Sequence, residues 1–505
     1  MPAGPDVSDR LFNHALGTRF EDLPAATIAT TRRQILDYLG VAVAGIDAEG
    51  CRAVHQMVMA WGGAPTAQLI GYGEKVPAPM AALVNGATGR ALELDDVHEQ
   101  ALTHSTVTMV PVALAVGATQ GGLSGRDLIT AVALGNDLAV RLAIAVRQPL
   151  GDGTASRTMS LTYQTATLAG SVVAAKVAGA TKDLMADTFG SAYSQLAGNL
   201  QGLKEGTLGV RVQQGIASFA AVLAWELARR GISGGRQNLE GGAGWFNAFH
   251  GGRFNRPALL DGLGSMFRGD EISVKPYACC KYGHNAISAV AQATALPGFD
   301  ASRVARIKAT IYTQDMWDLL CEPLSVKAAP ESFEGPAGVA MAQFSLPYML
   351  AAAAARGTLT TAELTDEARR DPLVMDLMRR VEIINMNKTF SPQELPEPAT
   401  VTLVLDDGTE LSGASSRPIG NPENPMTDEQ VVAKFGWCAE RLPRTDVRSS
   451  SSVRCRWRRW TMCRISSPSP SRDAPGVGPV AWGGCFGPER SPAVPSGPSS
   501  VELAI

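Results

Sequence analysis

The chain has 505 residues, too many for one hydrophobic core, so two or more domains are expected. Hydrophobic residues make up 45% and charged residues 18%, as in a soluble globular enzyme, and the net charge of −3 gives no general attraction to nucleic acid or membrane surfaces. No apolar run reaches the roughly 18–20 residues of a membrane span. There is no secretory signal pattern, and the scattered cysteines favour a cytoplasmic location.

The first part of the chain is predicted to be helical, because apolar residues recur there at helical spacing. Many of these helices are rich in alanine, glycine and serine, which favours close helix–helix packing. The predicted segments are 35–45, 128–138 after the capping box Ser124-Gly-Arg-Asp127, 184–196 after the cap Thr181, and 211–230 before Gly231.

Residues 85–108 concentrate acidic and histidine side chains directly before the apolar run Met109–Val116. Two of the six histidines of the chain lie here. Such groups are costly beside a buried segment unless they are paired, hydrated or functional. The residues concerned are Glu93, Asp95, Asp96, His98, Glu99 and His104. The segment is therefore a candidate active site.

The pattern changes near residue 270. Alternation within Val304–Tyr312 predicts a strand, and a second alternating run ends at Asp407-Gly408, a hairpin signal. Helices are predicted at 340–356 and 362–380, and another begins at the capping box of Thr427 and Gln430. Together, these strands and helices indicate that an α+β domain follows the helical one.

After about residue 444 the sequence is dominated by Arg, Ser, Pro and Gly, with isolated Trp and Cys, and has no helical or strand period. A disordered tail is one interpretation. We prefer a second, in which residues 445–505 are the product of a reading-frame shift that replaced the end of a normal domain. Sequencing of the gene would distinguish the two.

Other polar segments add cations and acid/base groups. Lys204 lies in a glycine-rich turn before a helix that carries Arg211, and the stretch 273–284 contains Lys275, Lys281 and His284. Arg157 to Tyr163 is rich in hydroxyl groups. Fixed cations suit a substrate with several carboxylates, and imidazole can move a proton. The set fits removal of a proton next to a carboxylate, with loss of hydroxide or carbon dioxide.

Each group also has a plain structural interpretation. The two aspartates could be a helix cap and a salt bridge, His98 a surface or capping residue, Lys204 a surface residue, and the stretch Arg157–Tyr163 a loop. A metal site of Asp95, Asp96, His98 and His104 is disfavoured by their spacing. Nucleotide cofactors are disfavoured because no phosphate-binding loop is found.

The motifs in chain order resemble those of the MmgE/PrpD family, over about residues 10–442. The matching pieces are Leu36–Gly45, Asn85-Gly through Asp96, Thr103-His104-Ser, Ser124–Leu128 with Gly135 and Arg141, Lys204 with Gly209 and Gly215, Lys275-Pro-Tyr with His284, and Asn424-Pro-Met with Lys434-Phe435. Two positions differ from the family pattern. Arg90 stands where members often have histidine, and Ser160-Leu161 where decarboxylase-like members have His-Pro.

The resemblance implies a mainly α fold, with a large all-helical domain (1–270, joined by 425–444) and a smaller α+β lid domain (271–424). It also implies a homodimer, no metal and no organic cofactor. The site would lie between the domains. His104 would handle the proton, Asp95 or Asp96 would assist it, and Lys204 and Lys275 would bind carboxylates.

Tyr163, Arg211, Lys281 and His284 are the further substrate-binding candidates. The preferred function is a cofactor-free hydro-lyase acting on a small di- or tricarboxylate such as 2-methylcitrate. The alternatives are a decarboxylase or epimerase on a related polycarboxylate, or an inactive carboxylate-binding paralogue. No nucleic-acid or membrane partner is expected.

Overall fold

The computed structural model describes residues 6–147, 159–204, 207–335, 337–388 and 398–440, with only the backbone given at positions 204, 210, 315 and 337. The predicted tail 445–505 and part of the stretch Arg157–Tyr163 lie outside the described residues.

The first half is built of helices and one short hairpin. The helices are α1 (Ser8–Gly17), α2 (Ala25–Ala44), α3 (Cys51–Trp61), α4 (Ala78–Arg90), α5 (Thr106–Thr119), α6 (Gly125–Arg147), α7 (Leu161–Val177), α8 (Lys182–Tyr193), α9 (Gln201–Lys204), α10 (Gly209–Ala228), α11 (Trp245–His250) and α12 (Arg256–Leu260). The hairpin strands are β1 (Ala67–Gln68) and β2 (Lys75–Val76).

The second half mixes helices with a sheet. The helices are α13 (His284–Thr294), α14 (Gln314–Leu320), α15 (Leu324–Lys327), α16 (Ala337–Gln343), α17 (Leu346–Arg356), α18 (Asp366–Arg369), α19 (Pro372–Arg379) and α20 (Asp428–Cys438). The strands are β3 (Val304–Ile311), β4 (Val381–Asn385), β5 (Ala399–Leu405) and β6 (Glu410–Ser415). The predicted mainly α fold is confirmed.

The helical half is packed closely through small residues. Helices α4 and α10 meet at Gly86 and Gly215, and a Cβ on Gly86 would lie 2.9 Å from the Cα of Gly215. A larger residue at either position would force the helices apart. Helix α6 is long and apolar enough to cross a membrane, but its apolar stretch is wholly buried inside the protein, as in a core helix.

The sheet has the order β4-β3-β5-β6, with β4 parallel to β3 and the other pairs antiparallel. The predicted strand β3 and the hairpin of β5 and β6, which turns at Gly408 with φ +85°, are confirmed. The sequence does not predict strand β4. Its residues do not alternate cleanly between apolar and polar, because an apolar residue, Ile384, occupies a solvent-facing position. Parallel pairing also depends on a distant strand.

Two predicted helices are divided. The segment 340–356 contains α16 and α17, separated because Ser345 caps α17 through the Tyr348 amide. The segment 362–380 contains α18 and α19, and Pro372 occupies the first turn of α19. The helical stretches predicted there are each formed by two helices rather than one.

The two halves share a hydrophobic core. Val41, Ala44, Leu92 and Leu94 come from the helical half but pack in the cluster formed by the sheet and helices α13 to α19. The loop after α4 therefore lies where the two cores meet. Helix α20 packs back on α2, and its predicted capping box of Thr427 and Gln430 is confirmed.

Candidate active site

The loop between α4 and α5 carries most of the acidic and histidine side chains singled out above. Two of its residues have positive φ, Glu93 at 51° and Leu102 at 47°. Such backbone costs about 1–3 kcal/mol per residue and persists only where surrounding contacts hold it. Lys275 Nζ lies 3.1 Å from the Glu93 carbonyl oxygen, and the Thr162 hydroxyl donates to the Leu102 carbonyl at 3.0 Å. Distant segments thus hold both strained residues.

His104 is oriented by a carboxylate that is itself paired. Its Nδ1 lies 2.9 Å from Asp95 Oδ2, and Asp95 Oδ1 lies 3.1 Å from the Arg90 guanidinium. Because an ionised carboxylate only accepts, we assign the proton to Nδ1, which leaves a lone pair on Nε2. The His104 side chain is 14% exposed and that of Asp95 2%. The ring is therefore the accessible member of the pair.

The charges around this pair keep the aspartate ionised and the imidazole neutral. Burial opposes ionisation of Asp95, but Arg90 and His104 hold its pKa below the ordinary value. Burial lowers the pKa of His104 below 6.5 and outweighs the opposite effect of Asp95. A neutral imidazole with a free Nε2 can accept a proton near pH 7.

Glu93 joins Arg90 to Lys275. It forms an ion pair with Arg90, and its Oε2 lies 3.2 Å from Lys275 Nζ. The Lys275 side chain is fully buried, and that of Glu93 is 6% exposed. The positive charges of Arg90 and Lys275 therefore balance the negative charges of Glu93 and Asp95. The structure places the predicted Lys275 beside the His104 pair, with its ammonium group against Glu93.

The backbone of His104 is held from two helices. Gln214, on α10, donates through Nε2 to the His104 carbonyl oxygen at 3.1 Å and to the Thr108 hydroxyl at 3.3 Å. The His104 amide donates to the Thr162 hydroxyl, on α7, at 3.4 Å. These bonds position the imidazole independently of its own side-chain contact.

Asp95 and Asp96 have different partners although they are adjacent. Asp96 accepts a hydrogen bond from the Thr106 hydroxyl at 2.6 Å, and burial raises its pKa well above the ordinary value. Its other oxygen has no partner among the described residues. Asp95 contacts His104, and Asp96 contacts Thr106 instead.

A narrow recess lies beside Glu93, between the helical half and α16. Its walls are Ala91, Glu93, Gly202, Leu203, Thr207, Arg211, Ala340, Gln343 and Phe344. Arg211 is 4% exposed and donates to the Glu49 carbonyl oxygen and to Gln343 Oε1, both at 3.2 Å. Both acceptors are uncharged, and the nearby carboxylates of Glu93 and Glu49 compensate the charge of Arg211 only at a distance. Lys204 follows Leu203 directly, but its side chain lies outside the described part of the chain.

Lys281 and His284 form a buried group close to Lys275, which acts electrostatically on both. Lys281 Nζ lies 3.3 Å from Glu99 Oε1, and burial lowers the lysine pKa despite this partner. His284 Nε2 lies 3.4 Å from the Cys279 carbonyl oxygen, and burial lowers the histidine pKa well below its ordinary value. These contacts are with the protein's own groups and do not line the recess.

Tyr163 and His98 also make their contacts with residues outside the recess. Tyr163 is 4% exposed and packs in the core of the helical half. His98 accepts the Ala101 amide on Nδ1 at 3.1 Å, and its Nε2 lies 3.1 Å from Glu271. Of the two structural interpretations of His98, a capping role fits these contacts, whereas a surface position does not, because the side chain is 2% exposed.

From the sequence, Glu93 belongs to the acidic cluster of the candidate site, at 93–99, but without a specific role, and Gln214 and Gln343 have no role at all. The two glutamines carry no signal, since a lone glutamine at helical spacing is ordinary. Within the described residues, no group of three or more His, Cys, Asp or Glu side chains is arranged to hold a metal ion.

The chain is similar over most of its length to curated fungal proteins. Cis-aconitate decarboxylase of Aspergillus terreus is 26% identical over 447 residues, which are 85% of this chain and 88% of the relative. The cis-aconitate decarboxylase-like protein oryM of Aspergillus oryzae is 22% identical over 444 residues, 85% of this chain and 90% of the relative. By these names the relatives are of the lyase type.

Family comparison agrees with the motifs found in the sequence. The MmgE/PrpD N-terminal domain matches residues 9–257, and the MmgE/PrpD C-terminal domain matches residues 277–458. The two matches cover both halves of the fold and the loop that carries His104. The chain therefore belongs to the MmgE/PrpD family, whose members include lyase-type enzymes.

Proposed function

We propose that the protein is a cofactor-free hydro-lyase that acts on a small di- or tricarboxylate such as 2-methylcitrate. The observation that carries the proposal is His104, an accessible and neutral imidazole held by the ionised Asp95. That arrangement suits a general base at neutral pH.

In the proposed reaction, His104 Nε2 takes a proton from the carbon next to a substrate carboxylate. The electron pair of the broken C–H bond forms a carbon–carbon double bond as the C–O bond on the neighbouring carbon breaks. The leaving hydroxide then takes a proton from the imidazolium or from solvent and departs as water. Arg211 and Lys204 bind carboxylates, and Lys275 adds positive potential that stabilises the developing charge.

Decarboxylation is the second candidate, and the relatives named cis-aconitate decarboxylase favour it. In that reaction carbon dioxide leaves and the remaining carbon must be protonated, so His104 would start as an acid. The lowered pKa of His104 instead favours a neutral imidazole that starts as a base. Ser160, where decarboxylase-like members carry histidine, caps α7 and supplies no second imidazole.

Epimerisation uses the same proton abstraction without a leaving group. An inactive paralogue would bind a carboxylate without changing it. Both are outcomes of the experiment below.

We further propose that the protein is a cytoplasmic homodimer that needs no metal or organic cofactor. Light scattering of the purified chain tests whether it is a dimer.

The test is incubation of the full chain with 2-methylcitrate, citrate and cis-aconitate in deuterated water, with products identified by mass spectrometry. Formation of the dehydrated acid, or hydration of cis-aconitate, supports the proposal. Release of carbon dioxide would instead identify a decarboxylase, and deuterium uptake without net product an epimerase. A folded protein that is stabilised by these acids but converts none of them would be a binding paralogue.

A further inference from the structure

We propose that Gln343 is a substrate-binding and specificity-determining residue, whose side-chain NH2 donates to a substrate carboxylate that Arg211 neutralises. This inference rests on the proposed function, because it assigns a binding role within the same site. It adds a contact from helix α16, in the second half of the chain, to a site built mainly from loops and helices of the first.

The orientation of the Gln343 amide follows from its neighbour. Gln343 is the last residue of α16 and is 1% exposed. Arg211 donates to its Oε1 at 3.2 Å, and because a guanidinium cannot accept a hydrogen bond, the oxygen must face Arg211. The Nε2 group then points away from Arg211, and it has no partner among the described residues.

A buried amide donor without a partner is unfavourable, so each such group calls for an explanation. The donor alone would not identify a site, since Gln164 also has an unpartnered Nε2 while its Oε1 accepts from the Trp245 indole. Gln343 differs in two respects. It lines the recess, and it touches a cation whose bonded partners are uncharged. A carboxylate placed there would satisfy the donor and the charge together.

The backbone around Gln343 is fixed relative to the rest of the site. The Cys280 amide donates to the Gln343 carbonyl oxygen at 3.0 Å, and Lys327 donates to the Phe344 carbonyl oxygen at 2.9 Å. Cys280 belongs to the segment that begins with Lys275. A ligand held by Gln343 is therefore held in a defined position relative to the Lys275–Glu93 pair.

Glu93 defines where the carboxylate can bind. It lines the same recess, and its negative charge repels an anion, although Arg90 and Lys275 compensate that charge in part. The side of Arg211 and Gln343 is thus the favourable one for a substrate carboxylate.

The test measures binding of tricarballylate, a saturated tricarboxylate without hydroxyl or double bond, which the proposed reaction cannot convert. Titration calorimetry compares the wild-type chain with Gln343→Met and Gln343→Glu. Gln343→Met removes both polar atoms at similar size, whereas Gln343→Glu keeps an acceptor for Arg211 but replaces the donor by a negatively charged oxygen that also repels the ligand. Gln164→Met is the matched control, since it removes an equally buried amide away from the recess.

We expect Kd for tricarballylate to rise about tenfold to a hundredfold in both Gln343 variants, the usual effect of losing a hydrogen bond to a charged group. With a converted substrate, KM should rise while kcat stays within a few-fold of wild type. Gln164→Met should bind tricarballylate as the wild type does. If Gln343→Met does not fold by circular dichroism, Gln343→Leu, which also removes both polar atoms without adding charge, takes its place.

Equal affinity of the wild-type chain and the folded Gln343 variants would overturn this inference alone. If the wild-type chain neither binds tricarballylate nor converts any polycarboxylate, the proposed function fails, and this inference fails with it.

Discussion

The chemistry proposed for this protein depends on three residues that the sequence places within 15 positions of one another, Arg90, Asp95 and His104. Arg90 keeps Asp95 ionised, and Asp95 orients His104, while burial keeps the imidazole neutral. Arg90 thus has a physical role in this group. It supplies a permanent positive charge beside Asp95, which a titrating side chain would not.

The two neighbouring aspartates should respond differently to the same substitution. Asp95→Asn removes the charge that orients and supports His104, and we expect kcat to fall about a hundredfold or more. Asp96→Asn should leave kcat close to the wild-type value, because burial raises the pKa of Asp96 and an amide oxygen can still accept from Thr106. Steady-state kinetics on the substrate identified above checks both. Similar losses in the two variants would contradict the assignment of Asp95.

The pH dependence should have an acid limb set by His104. A base must be deprotonated to act, so activity is lost as pH falls through the pKa of His104, which lies below 6.5. Arg90 contributes to that lowering, and Arg90→Gln should therefore move the limb to higher pH. The profile of kcat/KM against pH measures this shift. A limb that stays in place or moves to lower pH in the variant would argue against His104 as the base.

At the scale of elements, the site loop is held by the last described helix, α20. Lys434 Nζ lies 2.9 Å from the Leu94 carbonyl oxygen and 2.6 Å from Asp37 Oδ1, and both side chains are buried. Helix α20 therefore supports the backbone between Glu93 and Asp95, although it lies more than 300 residues away along the chain.

Breaking this contact should be costly. Lys434→Met leaves Asp37 buried without its partner, and we expect a loss of about 3–5 kcal/mol in the free energy of unfolding. The double variant with Asp37→Leu should recover part of that loss, since it removes the unpaired charge. Lys308→Met, which breaks the exposed pair with Glu410, serves as the control and should cost at most about 1 kcal/mol. Urea unfolding measures the free energy of unfolding of the three variants. A loss in Lys434→Met no larger than that in Lys308→Met would refute the role of Lys434 in holding the loop.

At the scale of the whole molecule, the site lies where the two hydrophobic cores meet. Leu94 is fully buried in the core of the second half, and its neighbours in sequence carry the site carboxylates. Packing of the α+β half should therefore affect the geometry of the loop as well as stability. Small residues such as Gly86 and Gly215 let the helices beneath this loop approach closely.

Leu94→Ala tests this coupling. We expect a loss of about 2–5 kcal/mol from the cavity, together with a fall in kcat, because the loop between Glu93 and Asp95 loses its anchor. Leu168→Ala is the matched control, a fully buried leucine in the helical core only. It should cost a similar free energy and leave kcat of the folded protein unchanged. A kcat unaffected by Leu94→Ala would mean that the loop is held without the second core.

The sequence by itself determined the mainly α fold, the strand β3, the hairpin of β5 and β6, and the loop that carries His104, because these depend on local periodicity, turn chemistry and capping. It could not decide between Asp95 and Asp96, since side-chain direction in an irregular loop depends on contacts with Arg90, Thr106 and distant Lys434. It gave Gln343 no signal at all. Only the tertiary structure brings that glutamine to Arg211, 132 residues away, and leaves its amide donor without a partner among the described residues. Long-range packing, which no local pattern encodes, decided those contacts.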